Sequence, residues 1–97
     1  MPKEELLEGN TLTAKLEGVP NWKNKDNGIE TELTAADFVS AVGVVNAIAV
    51  HAERLNHHPD VKIYGYNKIW VRLTTHDSGG LTRLDFELAK LIDGISM

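Results

Sequence analysis

Three of the four histidines in this chain fall in two short segments, Glu53-Arg-Leu-Asn-His57-His58-Pro59 and Thr75-His76-Asp77, with Asp85 a little further on. Histidine is the side chain whose ordinary pKa lets it give or take a proton near neutral pH. Two such segments brought together would suit proton-transfer chemistry, and the same residue types could hold a metal. If the preceding helix reaches His57, Glu53 stands one turn before it, near enough to hydrogen-bond the imidazole and fix its tautomer. A surface pair at a helix C-terminus, where the dipole favours a cationic ring, is the plainer reading of that spacing. It weakens for two consecutive histidines stopped by Pro59. The residue before a proline is pushed to extended backbone, so the two rings should point in different directions. Asp85 reads first as a helix-capping residue and Gly79-Gly80 as a loop flexible enough for a ligand to approach, and neither role forbids a second one.

Other chemistries find less support. A zinc site needs three protein ligands and a water. Adjacent histidines chelate one ion poorly, and no His-Glu-x-x-His is present, so a metal ranks second. There is no cysteine, and Ser40, Ser78 and Ser96 sit in no nucleophile-elbow context. Phosphate-binding loops are absent. Tyr66 and Trp70 could floor a pocket for a flat ring, although aromatics on short strands more often belong to a core. Trp22 reads as core or edge cover, and His51 as structural or interfacial.

The elements that must position these residues can be read from pattern. With 97 residues, 42% of them apolar and a quarter charged, the chain fits one folded domain over 1–97, with residues 1–10 as a weakly ordered lead-in. A net charge of −4 and scattered basic residues argue against a nucleic-acid partner. The apolar run Ala41 to Val50, broken by Gly43 and Asn46, is too short to span a bilayer. The acidic start lacks the basic, then apolar, pattern of a secretory signal, and the absence of cysteine suits the cytoplasm.

Thr11 to Glu17 predicts a short helix. Trp22–Asp26 and Ile29–Leu33 flank Asn27-Gly28 and predict a β-hairpin. Thr34…Asp37 and Thr82…Asp85 each resemble a capping box opening a helix, one running to about Asn56 and the other to about Ile92 with Gly94 ending it. Phe38, Val42, Val45, Ala49, Ala52 and Leu55 form one stripe of the long helix, and Val39, Val44, Ile48 and Val50 lie off it. A helix apolar on more than one face predicts burial against another subunit. Val61–Tyr66 and Lys68–Thr75 alternate as strands, with His76 closing the second on its Trp70/Arg72 face. The order predicts an α+β domain, helix, two strands, helix, two strands, helix, with a four-stranded antiparallel sheet and the three helices packed on one face.

Glu53, His57-His58-Pro59, Tyr66, His76 and Asp85 stand in the register of the pterin-4a-carbinolamine dehydratases, and residues 20 to 93 resemble that family. Tyr-Asn-Lys at 66–68, Thr-His-Asp at 75–77 and Gly-Leu-Thr at 80–82 add to the resemblance, and Trp22, Asp37-Phe38 and Ala52-Glu53 match more loosely. Against the family's animal members, the spacer from Pro59 to Tyr66 is the longer form and Asn56 replaces an Asp. The resemblance implies the same α+β fold, and dimers or tetramers built through a sheet edge and the long helix, here the Val39–Val50 region. It implies loss of water from 4a-hydroxytetrahydropterin to give quinonoid dihydropterin in tetrahydropterin recycling, with neither metal nor organic cofactor. By position, His57 and His76 become an acid/base pair. His58 joins them with a larger share in binding and pocket shape, and Glu53 and Asp85 belong to the substrate-binding set and would orient or polarise histidines. Asn56, Thr74, Thr75 and Asp77 would contact the pterin. The alternatives are a non-catalytic dimerisation or binding module, and a divergent member acting in molybdopterin metabolism.

Overall fold

The computed structural model describes residues 3–96. Its elements are α1 (Gly9–Glu17), β1 (Lys23–Lys25), β2 (Gly28–Thr34), α2 (Phe38–Leu55), β3 (Asp60–Tyr64), β4 (Lys68–Leu73) and α3 (Arg83–Asp93), with a 3-10 turn at His76–Ser78 before α3. The strands form one antiparallel sheet in the order β1-β2-β4-β3. This is the α+β arrangement that the alternating patterns predict. Residues 9 and 10, inside the expected lead-in, already belong to α1.

The inner face of the sheet carries Ile29, Ile69, Val71 and Leu73, with Val61 and Ile63 packed beside them. Period-two alternation puts these side chains on one face, where Ala41, Val44, Ile48 and Ala52 of α2 and Phe86, Leu88, Ala89 and Ile92 of α3 close over them. Fully burying one of the larger of these side chains stabilises the fold by roughly 1.5–3 kcal/mol. Trp22 joins this core, and its indole N–H donates to Asp93 Oδ1 at 2.9 Å. The opposite face is polar and aromatic. There Arg72 pairs with Glu30 at 2.9 Å, the Trp70 indole donates to Glu30 at 3.2 Å, and Lys62 lies over the Tyr64 and Trp70 rings.

Three local expectations are corrected. The hairpin turns on Asp26-Asn27, not Asn27-Gly28: both residues have left-handed φ (49° and 61°), and Lys25 pairs with Gly28. Gly28 answers a different demand, since a Cβ there would lie 2.7 Å from Arg72 Cζ. That guanidinium crosses over β2 to donate to the Lys25 and Asp26 carbonyls at 2.8 and 2.6 Å.

The helix start predicted at Thr34 is also displaced. Thr34 completes β2 opposite Lys68, and the ladder continues through Ala35 N–H to the Asn67 carbonyl at 2.8 Å. Asp37 is itself the N-cap of α2 and accepts from the Ser40 N–H at 2.7 Å. That donor holds the Asp37 carboxyl below its ordinary range. A depressed folded pKa contributes stability above the unfolded value and loses it as pH falls through the folded one. Asp37→Ala is therefore expected to unfold at lower urea than the parent at neutral pH, and the gap should close as the pH falls below the ordinary carboxylate range.

The third correction concerns which face of α2 is buried. Ala41, Val44, Ile48 and Ala52 face the sheet, whereas Phe38, Val39, Val42 and Val50 are exposed, Val39 by 80%. The predicted stripe mixed the two faces because apolar residues run almost around the helix. At 18 residues and a mean hydropathy of 1.3, α2 is long and apolar enough to cross a membrane, longer than the uninterrupted run suggested. Its inner stripe is seated on the sheet.

Candidate active site

α2 ends where Asn56 turns left-handed (φ 49°, ψ 44°), with its N–H on the Glu53 carbonyl and the His57 N–H on the Ala52 carbonyl at 3.0 Å. This is a Schellman-type ending, and Asn tolerates the left-handed backbone better than most residues with a side chain. The next two residues diverge. His57 goes inward and is buried, and His58 stays exposed. Pro59 then leads into β3.

The divergence decides the partners. His57 Nε2 donates to Asp85 Oδ1 at 2.6 Å, and His58 Nε2 meets Glu53 Oε2 at 2.5 Å. Glu53 therefore does not reach His57 as its helical spacing suggested. The helix ends one residue early, and Glu53 is left beside the outer ring. The inner ring is served by Asp85, which is fully buried.

Asp85 has two jobs. In the capping box of α3, the Thr82 side chain accepts from the helix while Asp85 Oδ2 accepts from the Thr82 N–H at 2.9 Å. The same oxygen accepts from the Thr75 hydroxyl at 2.8 Å. Thr75 has one hydroxyl hydrogen, so Thr82 Oγ1 must donate across the 2.8 Å between the two hydroxyls, and it accepts in turn from the Leu84 N–H at 3.3 Å. Every donor here points along one chain into the carboxylate. With Asp85 Oδ1 as acceptor, the neutral form of His57 carries its proton on Nε2 and its lone pair on Nδ1. Thr82 is the residue that sequence reasoning missed as part of the site, although its N-cap position was marked.

β4 stops at Leu73 rather than running to His76. Thr75 makes an isolated bridge to Gly80, and His76 opens the 3-10 turn. His76 is exposed and has no side-chain partner among the described residues. Asn56, His57, His58, Thr74, Thr75, His76 and Asp77 line one open cleft of about 250 Å³. Thr74 donates to the Asn27 carbonyl at 2.7 Å, which ties this wall to the hairpin turn. Asp85 lies behind the cleft against His57, and Glu53 lies outside it against His58. Glu53 and His58 also border a neighbouring apolar groove of about 300 Å³ between α2 and β3.

Tyr66 and Trp70 do not floor this cleft. Tyr66 sits in the β3–β4 turn with a left-handed φ, and Trp70 lies on the outer face of the sheet. A larger cavity of about 540 Å³ adjoins Trp70, with Glu30 and Asp93 in its wall, but it holds no histidine and indole groups already engage both carboxylates. Among the described residues, no three His, Asp or Glu side chains stand close enough to hold a metal ion.

Three imidazole rings, one of them paired with a buried carboxylate, thus line a small polar cleft. The sequence profile of the family described as Pterin 4 alpha carbinolamine dehydratase matches residues 5–95. The chain belongs to the pterin-4a-carbinolamine dehydratase family. It is 40% identical over 92 residues to a Trichodesmium erythraeum protein named "Putative pterin-4-alpha-carbinolamine dehydratase", covering 95% of this chain and 98% of that one. A protein of the same name from Sulfurisphaera tokodaii is 51% identical over 82 residues, covering 84% and 87%. The crystal structure titled transcriptional coactivator/pterin dehydratase, from Brucella melitensis, superposes with a TM-score of 0.85 at 30% identity over 94% of this chain and 98% of the other. A pterin dehydratase-like protein described as a RuBisCO assembly factor of the alpha-carboxysome shares the fold at a TM-score of 0.54 and 17% identity, over 77% of this chain and 89% of that one. The pterin-4a-carbinolamine dehydratase match begins at residue 5, so it takes in the segment before α1 that the sequence resemblance left out.

Proposed function

We propose that this chain removes water from 4a-hydroxytetrahydropterin to give quinonoid dihydropterin, within the cytoplasm and in tetrahydropterin recycling. The observation that carries the reading is the 2.6 Å pairing of His57 Nε2 with the buried Asp85, in a cleft that His57 shares with His58 and His76. In the reaction the C4a–O bond breaks, the N5–H proton leaves and a C4a=N5 bond forms. His57, with its lone pair on Nδ1, takes the N5 proton. His76, free of a side-chain partner among the described residues, delivers a proton to the departing hydroxyl. His58 and Glu53 shape the mouth, and Asn56, Thr74, Thr75 and Asp77 hold the flat, polar ring. Acid–base assistance of this kind raises the rate by about 10²–10⁴-fold.

The exposed Phe38, Val39, Val42 and Val50 of α2, and the free edge of β3 in the strand order, support a homodimer or homotetramer built through those surfaces. The same apolar face favours a second reading, a binding module that docks another protein through α2.

Stopped-flow decay of freshly generated 4a-hydroxytetrahydropterin, with and without the protein, tests the first reading. Decay accelerated in proportion to protein concentration supports the dehydratase. Decay at the spontaneous rate, with a foreign protein retained on α2, would replace it with the binding module.

A further inference from the structure

His76 stands on a short turn closed at its base by Thr75 and Gly80, whose backbone N–H groups donate to each other's carbonyls at 2.9 and 3.3 Å. The 3-10 stretch has three residues and no side-chain cap, and it passes into Gly79 at φ 78° and then Gly80. Its near end is secured through Thr75, whose hydroxyl is bound to Asp85. Its far end is secured by a different part of the chain. The Ser78 hydroxyl donates to the Glu4 carbonyl at 2.6 Å, and the Leu7 N–H donates to the Leu81 carbonyl at 2.8 Å. Leu6 lies against Gly80 so closely that a Cβ there would come within 2.9 Å of Leu6 Cδ1. The Glu4 carboxylate then reaches Arg83, in the first turn of α3, with Oε1 3.0 Å from Nε and Oε2 3.2 Å from Nη2.

We propose that residues 4–7 are a strap whose task is to position His76. The strap joins the far end of the His76 turn to α3, the helix that supplies Asp85. Through it the two halves of the cleft, His57 on Asp85 and His76 on its turn, share one frame. The segment adds little to the core: Leu6 is exposed, Leu7 is only partly buried, and Glu5 and Glu8 face solvent. Its specific contacts go to the Ser78–Arg83 stretch. Gly79 and Gly80 bring no side chain to that turn, so beyond its own backbone hydrogen bonds its anchorage comes from the strap. Glu4 and Ser78 are thus positioning residues, acting on the proposed dehydration through His76, and their assignment to catalysis rests on that reading.

The test uses the full-length Glu4→Gln/Ser78→Ala double variant, Ser78→Thr as the conservative replacement, and Glu87→Gln as control. Glu87 holds the other side of Arg83 at 2.9 Å without touching the strap. Amide hydrogen exchange is read over residues 76–80 and over α2, together with kcat and KM. In the double variant, exchange at 76–80 should rise about tenfold while α2 stays protected. In the same protein kcat should fall by about five- to tenfold with little change in KM, since a displaced acid slows chemistry more than binding. Ser78→Thr and Glu87→Gln should behave as the parent. Unchanged exchange at 76–80, or faster exchange with an unchanged kcat, would overturn the strap. Exchange is measured without substrate, so it decides the strap's hold on the turn even if the parent protein fails to dehydrate the pterin.

Discussion

His76→Ala and His57→Ala are each expected to lower the protein-dependent rate of pterin dehydration by about 10²–10⁴-fold, and to differ sharply in stability. His76 is exposed and its ring has no partner among the described residues. Its removal should leave the urea midpoint of unfolding at the parent value. His57 is buried and is the partner of Asp85 Oδ1. Truncating it leaves a carboxylate oxygen without its donor inside the protein, which costs about 1–3 kcal/mol or more. Stopped-flow rates and urea titrations of the two variants check both halves. A His76→Ala protein that turns over at the parent rate would remove that ring from the mechanism, and an equal loss of stability in both would contradict the burial asymmetry.

Substitution of Asp85 should have the largest combined effect. Asp85→Ala deletes the acceptor for His57, Thr75 and the Thr82 amide at once, and the α3 capping box with it. Leaving a buried donor unsatisfied costs about 1–3 kcal/mol, and the loss of three acceptor contacts together is a large share of the stability of a domain this size. Asp85→Asn keeps the volume and separates stability from chemistry. The amide has one oxygen where the carboxylate has two. Turned toward Thr75 and Thr82, that oxygen leaves an NH₂ facing His57, which can be satisfied only if the ring moves its proton from Nε2 to Nδ1. The base would then be in the wrong tautomer, and the rate should fall by about 10²–10⁴-fold in a chain that still folds. The ¹⁵N shifts of the His57 ring nitrogens report the tautomer directly. An Asp85→Asn protein with Nε2–H retained and normal turnover would sink the assignment.

How much of this was legible in sequence depended on whether the deciding contact was local. Thr82 and Asp85 are three residues apart, and their reciprocal cap formed as the pattern predicts. Thr34 and Asp37 offer the same spelling, but Thr34 is claimed by Lys68 across the sheet, and no window around residue 34 contains that competitor. The histidine cluster was readable by residue type and spacing. Its pairing was not, because the left-handed turn at Asn56 separates His57 from His58 and reassigns Glu53 to the outer ring. Asp85 could be seen as a cap and, through the family register, as a partner to a histidine. That Thr75 and Thr82 would be strung together behind it depends on the turn closed by the Thr75–Gly80 bridge. The apolar positions of α2 were all visible, yet with apolar residues nearly encircling the helix, periodicity alone could not choose the inner face.

Because the carboxylate that pairs with His57 is also the one that holds the first turn of α3, the proposed turnover is coupled to fraying of that helix end. Helix ends open before sheet interiors do on warming. Each such opening withdraws the Thr82 amide from Asp85 and releases the ring that Asp85 steers. Turnover against temperature should therefore act as a thermometer for one helix end, bending away from its trend while the central strands are still intact.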